Sequence, residues 1–456
     1  MNLIVSPAML QGTVCAIPSK SDAHRKLICA ACSDQGSSIL LPKPYCADLT
    51  ATIQCLTALG ASLTETEQSL QIKPIDAALR KQLPLLDCGE SGSTFRFLLP
   101  VAMAVTDTAS FCGSGRLPER PIDALTDVMQ AHGVRFSSKK LPFTADGRLS
   151  GGVYALPGNI TSQYLSGLLM ALPHTAKDSE IRLTKPLESA AYVTLTCKVL
   201  EGFGIAITQE IEHDLPVYRI QGGQILHAPR QITVDGDWSN AAFVLVAGAV
   251  SAPITVTGVY PDSLQGDKAI CDILRQTGAI VEQSQDSVTV SPPKDGILHA
   301  FSADMTEIPD LLPILSVLAA CAQGQSHLHH AARLRLKECD RLTATANLLE
   351  GLGGKVTELA DALLIEGTAL SGGIADGCND HRMVMSAAIA ALRCAHSVTI
   401  LGTEAVNKSY PTFLQIIRRW AAKSLRQKRS DARWHRHSEN EFEFPYSENP
   451  MGAVSA

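Results

Sequence analysis

The stretch CLTALGASL, at residues 55–63, ends a helical pattern at a glycine and then enters the alternating pattern of a strand. The same arrangement recurs in VMQAHGVRF, VLEGFGIAI, ILRQTGAIV and LLEGLGGKV. The shared glycines lie 73, 71, 74 and 75 residues apart, at Gly60, Gly133, Gly204, Gly278 and Gly353. Because glycine readily adopts the left-handed backbone that ends a helix, this spacing predicts a repeated α/β unit.

A second element recurs at the same period: a polar stretch that opens a helix rich in alanine and leucine. Six such starts occur, in SKSDAHRKLICAAC, GESGSTFRFLLPVAMA, TSQYLSGLLMALP, DWSNAAFVLVAGAV, EIPDLLPILSVLAA and NDHRMVMSAAIAAL. With the glycine-marked helix ends, they predict six units close to βαβαββ. The last helix, TFLQIIRRWAAK, has no strand pair after it. We therefore expect the N-terminal strand NLIVSP to complete the sixth unit, which would make one domain discontinuous.

The composition gives no reason to expect a nucleic-acid or membrane partner. A chain of 456 residues with 45% hydrophobic residues is long enough for about two to four domains. Its net charge of −6 does not favour binding to nucleic acid. The start MNLIVSPAML does not resemble a signal peptide, and the run LLPILSVLAACA is too short to span a bilayer. We interpret the thirteen cysteines as having neither a CxxC spacing nor a Cys/His metal spacing, and they indicate a reducing cytoplasm.

Charged residues crowd into RLRLKECDRL, at residues 333–342 of a chain that is only 18% charged. In its first half leucines alternate with cations, which predicts a half-buried strand with the cations on one face. From Glu338 the apolar spacing becomes helical, which predicts that Lys337, Glu338, Asp340 and Arg341 lie in a first helical turn. The stretch is therefore either a solvated surface or an anion site at a strand-to-helix junction.

Cations at other helix starts favour an anion site. Lys20 and Arg25, then Arg96, then His381 and Arg382 lie in or beside the first turns of three separate units. The helix dipole disfavours cations there by roughly 0.3–1 kcal/mol unless an anion binds at the same place. A frayed and solvated helix end would explain any one of them. Their recurrence in three units predicts a bound phosphate or carboxylate.

Several loop positions could serve either the fold or a ligand. The loop GSGRLPERPIDAL brings Arg116 and Arg120 to a helix, either as a mobile clamp or as solvated side chains. TSQ at residues 161–163 could cap a helix or bind a ligand. Asp310, just before an apolar helix, is either an N-cap or a partly desolvated general base. Lys408 lies in the loop before the last helix, where a lysine is usually solvated.

In this order, KSDAHR, GESGSTFR, RPIDAL, TSQYLSGLLMALP, RLRLKECDRL, NDHRMVMSAAIAAL and NKSYP resemble motifs of the 5-enolpyruvylshikimate-3-phosphate (EPSP) synthases. The resemblance covers residues 1–424. It implies the two-domain α/β fold of the enolpyruvyl transferases, with three βαβαββ units per domain and a substrate cleft between the domains. We expect a discontinuous domain of residues 1–17 plus 230–424 and an inserted domain of residues 18–229. Residues 425–456 lie outside the resemblance and are expected to form a disordered tail.

The resemblance also implies a reaction of the shikimate pathway, which leads to chorismate and the aromatic amino acids. The enolpyruvyl group of phosphoenolpyruvate moves to the 5-hydroxyl of 3-phosphoshikimate through a tetrahedral intermediate, and phosphate is released. No cofactor and no metal are implied, and a cytoplasmic monomer that binds only these two small molecules is expected. The alternatives are the enolpyruvyl transferase that acts on UDP-N-acetylglucosamine and a non-catalytic anion-binding scaffold. The former family carries a cysteine just before RPID, where this chain has none.

Position by position, the resemblance implies roles for nineteen residues. The catalytic set is Asp310 as base toward the hydroxyl, Glu338 as acid and base at the methylene carbon, and Lys20 and Lys408 beside the departing phosphate. The 3-phosphoshikimate set is Lys20, Ser21, Arg25, Thr161, Ser162, Gln163, Ser189, Tyr192, Asp310 and Lys337. The phosphoenolpyruvate set is Lys20, Gly92, Arg120, Gln163, Arg341, Arg382 and Lys408. Three further positions, Glu90, Arg96 and His381, are expected to face the ligands without an assigned role.

The chain departs from the family pattern in two places near the expected site. It reads IPSKS before the first helix, where many members read Pro-Gly-Ser-Lys-Ser. Glu90 and Ser91 stand where many members have asparagine and alanine. A carboxylate at Glu90 should weaken the binding of an anion unless it pairs with a cation such as Arg120.

Overall fold

The computed structural model describes residues 1–432 of the chain, in which helices alternate with strands throughout. The helices are α1 (Lys20–Ala31), α2 (Ala47–Ala58), α3 (Gly92–Val105), α4 (Asp123–Ala131), α5 (Ser162–Ala171), α6 (Ala190–Gly202), α7 (Trp238–Val250), α8 (Ile270–Gln276), α9 (Leu312–Ala320), α10 (Arg341–Gly351), α11 (His381–Ala390) and α12 (Phe413–Ala432).

The strands of the described residues are short, with seven residues at most. They are β1 (Asn2–Val5), β2 (Gly12–Cys15), β3 (Ser37–Leu40), β4 (Ser62–Glu65), β5 (Ser69–Lys73), β6 (Leu85–Asp87), β7 (Thr108–Cys112), β8 (Arg135–Phe136), β9 (Phe143–Asp146), β10 (Val153–Pro157), β11 (Ser179–Lys185), β12 (Ile207–Glu212), β13 (Leu215–Ile220), β14 (Gln231–Thr233), β15 (Ile254–Thr257), β16 (Ile280–Gln283), β17 (Ser287–Ser291), β18 (Ser302–Asp304), β19 (Gln325–His329), β20 (Lys355–Glu358), β21 (Leu363–Glu366), β22 (Gly373–Asp376) and β23 (Val398–Leu401).

These strands form six separate sheets. In the sheet with order β6-β7-β9-β8, β6 and β7 are parallel, and β9 runs antiparallel to both of its neighbours. The sheets β10-β11-β13-β12 and β18-β19-β21-β20 repeat this order. A parallel pair needs a crossover, which a helix supplies here, so each of these units is a βαβαββ unit. The predicted repeat is therefore present.

The other three sheets each include a strand from a distant part of the chain. Strand β1 pairs antiparallel with β23, so the N-terminal strand joins the last sheet. Strand β2 pairs with β15, and β14 pairs with β3. The two segments that follow β2 and β14 run side by side: the Ser19 amide donates to Asp235 O at 2.7 Å, and the Asp237 amide donates to Ile17 O at 2.8 Å.

The buried apolar residues form two separate clusters. One is built from residues 23–232, and the other from Val5, Leu10 and residues 238–421. We propose that the clusters mark two domains, an inserted one and a discontinuous one, in line with the expected division. Ile232 of β14 belongs to the first cluster, so we place the boundary just after Thr233 rather than before residue 230.

The five repeat glycines share a backbone conformation that explains their spacing. Each has a φ between 81° and 106° and follows a helix. At Gly60 a Cβ atom would lie 2.4 Å from the carbonyl oxygen of Asp76, so a side chain is excluded by contact as well as by φ. The same local requirement recurs in five units.

The strand predicted for the first half of RLRLKECDRL is wrong. Residues Ala332–Leu336 form a 3₁₀ helix, in which Leu334 is buried and Leu336 is 45% exposed. The two leucines therefore do not share a buried face. Helix α10 begins only at Arg341 and is capped by Asp340, whose carboxylate accepts from the Thr343 amide at 3.2 Å. Lys337 and Glu338 thus lie in the connection before the helix and not in its first turn.

The C-terminal expectation also needs correction. Helix α12 continues to Ala432, so residues 425–432 are helical rather than part of a disordered tail. The rest of that expected tail, residues 433–456, lies outside the described residues. No helix in the described part of the chain is long and apolar enough to cross a membrane.

All thirteen cysteines are free thiols. Cys29 and Cys32 form a C-x-x-C pair within and just after α1, so the interpretation that the chain has no CxxC spacing is wrong. Burial raises the pKa of the Cys32 thiol to about 12 and that of Cys29 further still. Neither thiol is therefore a reactive nucleophile at neutral pH.

Candidate active site

A polar cleft between the two clusters collects most of the predicted site residues. All of them line it except Glu90, Arg96 and Lys408. Helices α1, α3, α5, α7, α10 and α11 each begin at the cleft. Because helix N-termini carry partial positive charge and unpaired amide groups, six of them around one cleft make a strongly anion-attracting environment.

Arg341 joins three carboxylates at the centre of this cleft. Its Nη1 lies 2.8 Å from Oδ1 of Asp310, and its Nη2 lies 2.8 Å from Oε2 of Glu338. Its Nε lies 2.7 Å from Oδ2 of Asp380. The Arg341 side chain is only 2% exposed, so these pairs are poorly screened by water. One guanidinium therefore sets the distance between the two predicted catalytic carboxylates.

Asp310 is an ion-pair residue and not an N-cap. Helix α9 has no side-chain cap, whereas Oδ2 of Asp310 lies 3.1 Å from Nη2 of Arg382 and Oδ1 lies 3.5 Å from Nζ of Lys337. Burial raises the pKa of the Asp310 carboxyl, but the charges of Arg382, Lys337 and Arg341 outweigh burial and hold it well below its usual range. The carboxylate therefore stays ionised at neutral pH.

The carboxyl group of Glu338 is likewise kept ionised by nearby cations. Burial raises its pKa, but Arg341, Arg120 and other nearby cations together hold it well below the usual range for glutamate. Nη1 of Arg120 lies 3.5 Å from Oε1 of Glu338, so a residue of the 23–232 cluster reaches across the cleft to this carboxylate. The Glu338 carboxylate is therefore ionised at neutral pH.

Burial and neighbouring charges shift the pKa values of the basic side chains of the cleft in different directions. Burial lowers the pKa of Lys337 to about 8, despite its pairing with Asp310. Burial also disfavours the charge of Lys20, but Asp48, whose Oδ2 lies 2.8 Å from Nζ of Lys20, raises the pKa above its usual value. Burial lowers the pKa of His381 well below its usual range, so this imidazole is neutral.

Arg25, Gln163 and Tyr192 lie on one wall of the cleft and are already hydrogen-bonded within the protein. Arg25 donates to Thr196 Oγ1 at 2.7 Å, to the Ser21 carbonyl at 2.6 Å and to the Tyr192 carbonyl at 2.9 Å. Arg96 donates to Oε1 of Gln163 at 2.9 Å. These bonds fix the positions of Arg25 and Gln163 before any ligand arrives.

The hydroxyl groups on the same wall are also held in place. Thr161 caps α5 by accepting from the Gln163 amide at 3.3 Å, so the capping interpretation of this residue is correct, and it lines the cleft as well. The Ser189 hydroxyl accepts from Nη2 of Arg333 at 2.8 Å. The Tyr192 hydroxyl donates to Oδ2 of Asp267 at 3.2 Å.

Several buried nitrogen atoms of the cleft have no hydrogen-bond partner among the described residues. They are Nε of Arg120, Nε of Arg382, and both ring nitrogens of His381. A buried donor without a partner is costly, by about 1–3 kcal/mol. The Nε groups of Arg120 and Arg382 and the single N–H of the neutral His381 ring indicate that the cleft binds a ligand with several acceptor oxygens.

Two of the predicted residues that do not line the cleft, Glu90 and Lys408, pair with each other. Nζ of Lys408 lies 2.8 Å from Oε2 of Glu90 and donates to the Asn379 carbonyl at 2.6 Å. Lys408 is only 12% exposed and ends a 3₁₀ helix, so the solvated interpretation is wrong. Glu90 therefore pairs with Lys408 and not with Arg120. Arg116 is exposed and lies 3.6 Å from Glu119, outside the cleft.

Sequence reasoning missed several residues that hold the site together. The main ones are Asp48, Asp267, Arg333 and Asp380. Asp380 could have been found, because an aspartate directly before two helix-start residues is a typical N-cap, and its Oδ1 accepts from the Arg382 amide at 2.8 Å. Asp48 and Asp267 gave no local signal.

The fold is that of the enolpyruvyl transferases. The structure superposes on an EPSP synthase from Acinetobacter baumannii with a TM-score of 0.75 at 24% identity, covering 92% of this chain and 98% of that one. It superposes on an enolpyruvyl transferase from Streptomyces tendae with a TM-score of 0.72 at 19% identity, covering 92% and 97%.

Sequence comparison narrows this class to one family. The family model for EPSP synthase (3-phosphoshikimate 1-carboxyvinyltransferase) matches residues 4–417. A 3-phosphoshikimate 1-carboxyvinyltransferase from Clostridium acetobutylicum is 41% identical over 421 residues, covering 91% of this chain and 96% of the relative. One from Clostridium novyi is 38% identical, covering 90% and 95%. The chain belongs to the EPSP synthase family.

Proposed function

We propose that this enzyme transfers the enolpyruvyl group of phosphoenolpyruvate to the 5-hydroxyl of 3-phosphoshikimate, using the residues of the cleft. The products are 5-enolpyruvylshikimate 3-phosphate and phosphate. The reaction adds the hydroxyl oxygen to the substituted carbon of phosphoenolpyruvate and a proton to its methylene carbon. Loss of a methyl proton and of phosphate from the tetrahedral intermediate then restores the double bond. No covalent bond to the enzyme is needed.

The proposal rests on one observation: Arg341 forms ion pairs with both Asp310 and Glu338. The reaction needs one group to take a proton from a hydroxyl and another to exchange a proton with carbon, and each role typically contributes about 10²–10⁴ in rate. Two carboxylates bonded to adjacent nitrogens of one guanidinium are well suited to act on neighbouring atoms of a substrate pair. We assign the hydroxyl to Asp310 and the methylene carbon to Glu338.

Both carboxylates are stabilised as anions, which makes them weak bases until the ligands bind. Phosphoenolpyruvate brings its own carboxylate and phosphate to Arg120, Arg341 and Arg382, and these cations then share their charge with the ligand. The pKa of Glu338 should rise as a result, because like charge nearby and loss of water both favour the protonated form. Substrate binding would thus prepare Glu338 to donate a proton.

The remaining residues divide between the two substrates. We assign phosphoenolpyruvate to the unpaired Nε donors of Arg120 and Arg382, with Gly92 close by. At Gly92 a Cβ atom would lie 2.7 Å from Nη1 of Arg96 and 2.8 Å from Nη1 of Arg120, so the absence of a side chain leaves these arginines in place. Lys20 and Lys408 can stabilise charge on the departing phosphate.

We assign 3-phosphoshikimate to the wall that includes Lys337 and Tyr192, most of whose side chains are already hydrogen-bonded. The wall comprises Ser21, Arg25, Thr161, Ser162, Gln163, Ser189, Tyr192 and Lys337. Preorganised donors need little rearrangement on binding, which favours specificity for a polar ring with a fixed set of hydroxyl groups.

One experiment separates this function from its alternatives. Phosphate release from phosphoenolpyruvate is measured with 3-phosphoshikimate and, separately, with UDP-N-acetylglucosamine. Release only with 3-phosphoshikimate is expected. Release with the amino-sugar nucleotide would assign the chain to the related reaction, and release with neither would leave an anion-binding scaffold. We further infer that the enzyme works in the cytoplasm, which its thirteen free cysteines support, and that it works as a monomer.

A further inference from the structure

The segment HLHH, residues 327–330, ends strand β19 and contributes no residue to the catalytic cleft. Strand β18 runs parallel beside it, and the register pairs Asp304 with His329. Paired residues of neighbouring strands project from the same face of a sheet. The side chains of Asp304 and His329 therefore emerge together at the carboxyl edge of this sheet.

The next residue, His330, joins them because its backbone is left-handed. In a continuing strand its side chain would point to the opposite face. With a φ of 57° the chain turns instead. Nδ1 of His330 consequently lies 2.8 Å from Oδ2 of Asp304 and 3.2 Å from Nδ1 of His329.

We propose that Asp304, His329 and His330 form a Zn²⁺ site. Their ligand atoms all lie within 4.8 Å of one another. Two ligands at about 2.0–2.1 Å from a tetrahedral zinc ion lie about 3.3 Å apart, close to the separation of the two histidine nitrogens. Two imidazoles and a carboxylate form a donor set that zinc commonly uses. Asp304 is 50% exposed and His330 is 59% exposed, so water can complete the coordination.

Neighbouring groups hold the three ligands in orientation. Oδ1 of Asp304 accepts from the Thr306 amide at 2.8 Å, which leaves Oδ2 directed at the histidines. The ring of His327 packs against that of His329, with centroids 4.9 Å apart. Such outer contacts commonly orient metal ligands. Elsewhere in the described chain, His227 lies 2.7 Å from Asp34 in a similar pair, but no third ligand accompanies it.

Zinc binding is tested on the full chain by competition with a chromophoric chelator. We expect one strongly bound Zn²⁺ per chain. His329→Ala, His330→Ala and Asp304→Asn should each weaken it by at least about tenfold, since even loss of an outer partner commonly costs that much. The three positions are at the surface, so unchanged melting temperatures without metal will show that the variants fold.

Co²⁺ as a second probe distinguishes this site from the cysteines, because thiolate coordination produces an intense near-ultraviolet charge-transfer band and imidazole–carboxylate coordination does not. His227→Ala is the matched control and should leave zinc affinity unchanged. The proposal is overturned if no stoichiometric zinc binds, if the charge-transfer band accompanies binding, or if the control weakens binding as much as His330→Ala does.

Discussion

Arg341 and Asp380 form an ion pair of 2.7 Å in which neither side chain is more than 2% exposed. Both residues also make the contacts that shape the cleft. Arg341 forms ion pairs with the two predicted catalytic carboxylates, and Asp380 caps α11 by accepting from the Arg382 amide. One buried contact therefore fixes both the start of a helix and the position of the catalytic cation.

Asp380→Asn should destabilise the protein strongly, because it leaves the buried charge of Arg341 with one partner fewer. Removing one member of a buried pair costs about 3–5 kcal/mol, and the free energy of unfolding from denaturant titration measures the loss. Asp376→Asn is the control, since Asp376 is exposed at the end of β22 and its carboxylate accepts from the Cys378 amide at 2.8 Å. Equal losses in the two variants would contradict a special role for Asp380.

Glu338→Gln should lower kcat by at least about 10² while leaving the Kd for 3-phosphoshikimate nearly unchanged. Glutamine keeps the shape and the acceptor oxygen that faces Arg341 but cannot exchange the proton. Single-turnover rates and calorimetric binding separate the two effects. Glu350→Gln, at the exposed end of the neighbouring helix α10, should behave as the unmodified enzyme. Near-normal turnover in Glu338→Gln would remove this residue from the chemistry.

Lys337 should make substrate capture sensitive to alkaline pH. Its pKa is lowered to about 8, so it is charged below that pH and neutral above it. Since kcat/KM reports the free enzyme, kcat/KM for 3-phosphoshikimate should fall as pH rises through about 8. Lys337→Arg stays charged and should remove this fall, whereas Lys355→Arg, at an exposed site, should not. Persistence of the fall in Lys337→Arg would assign it to another group.

Asp267 should position Tyr192 for the shikimate ligand. This fully buried carboxylate accepts from the Tyr192 and Ser239 hydroxyls, and burial raises its pKa to about 6. Asp267→Ala leaves both hydroxyls without an acceptor and should raise KM for 3-phosphoshikimate at least about fivefold, with a smaller change in kcat. Asp267→Asn keeps an acceptor oxygen and should restore most of the affinity. If Asn and Ala behave alike, the hydrogen bond to Tyr192 is not what matters.

Glu90 should weaken the binding of phosphoenolpyruvate, because it neutralises Lys408 at the rim of the cleft. Glu90→Gln frees that charge and should lower KM for phosphoenolpyruvate by about two- to fivefold, in keeping with about 0.2–1 kcal/mol for a partly exposed pair. The gain should shrink at high salt. Glu119→Gln, on the exposed loop that carries Arg120, should have no such effect. An unchanged or higher KM in Glu90→Gln would show that the pair supports binding instead.

The repeat could be predicted from the sequence because a local rule sets it. Gly60 and its four counterparts each end a helix with positive φ, and no long-range contact is needed to recognise that requirement. The six helix starts were equally local. Pairing between distant strands was harder to foresee. Strand β2 joins the sheet of β15 and β14 joins the sheet of β3, and both pairings depend on which sheet offers a free edge.

The errors at the site have a common cause. Alternating leucines indicated a strand at residues 333–337. In the structure Arg333 donates to the Ser189 hydroxyl across the cleft and Arg335 donates to Asp340, and the backbone that allows both bonds is a 3₁₀ helix. Asp310 could be an N-cap or a base until its partners Arg382 and Arg341 were known. Ion pairs between residues that are far apart in the sequence cannot be recognised from the local spacing of residue types.

Strands that pair with distant parts of the chain, such as β1 and β14, constrain the order in which the protein can fold as it is synthesised. Strand β3 appears early, but its parallel neighbour β14 is made almost two hundred residues later, at Gln231–Thr233. Strand β1 must wait longer still, because its partner spans Val398–Leu401. Closing such long loops is entropically slow. The first sheet therefore leaves the ribosome with an open edge, and the last one is closed by the residues that emerged first.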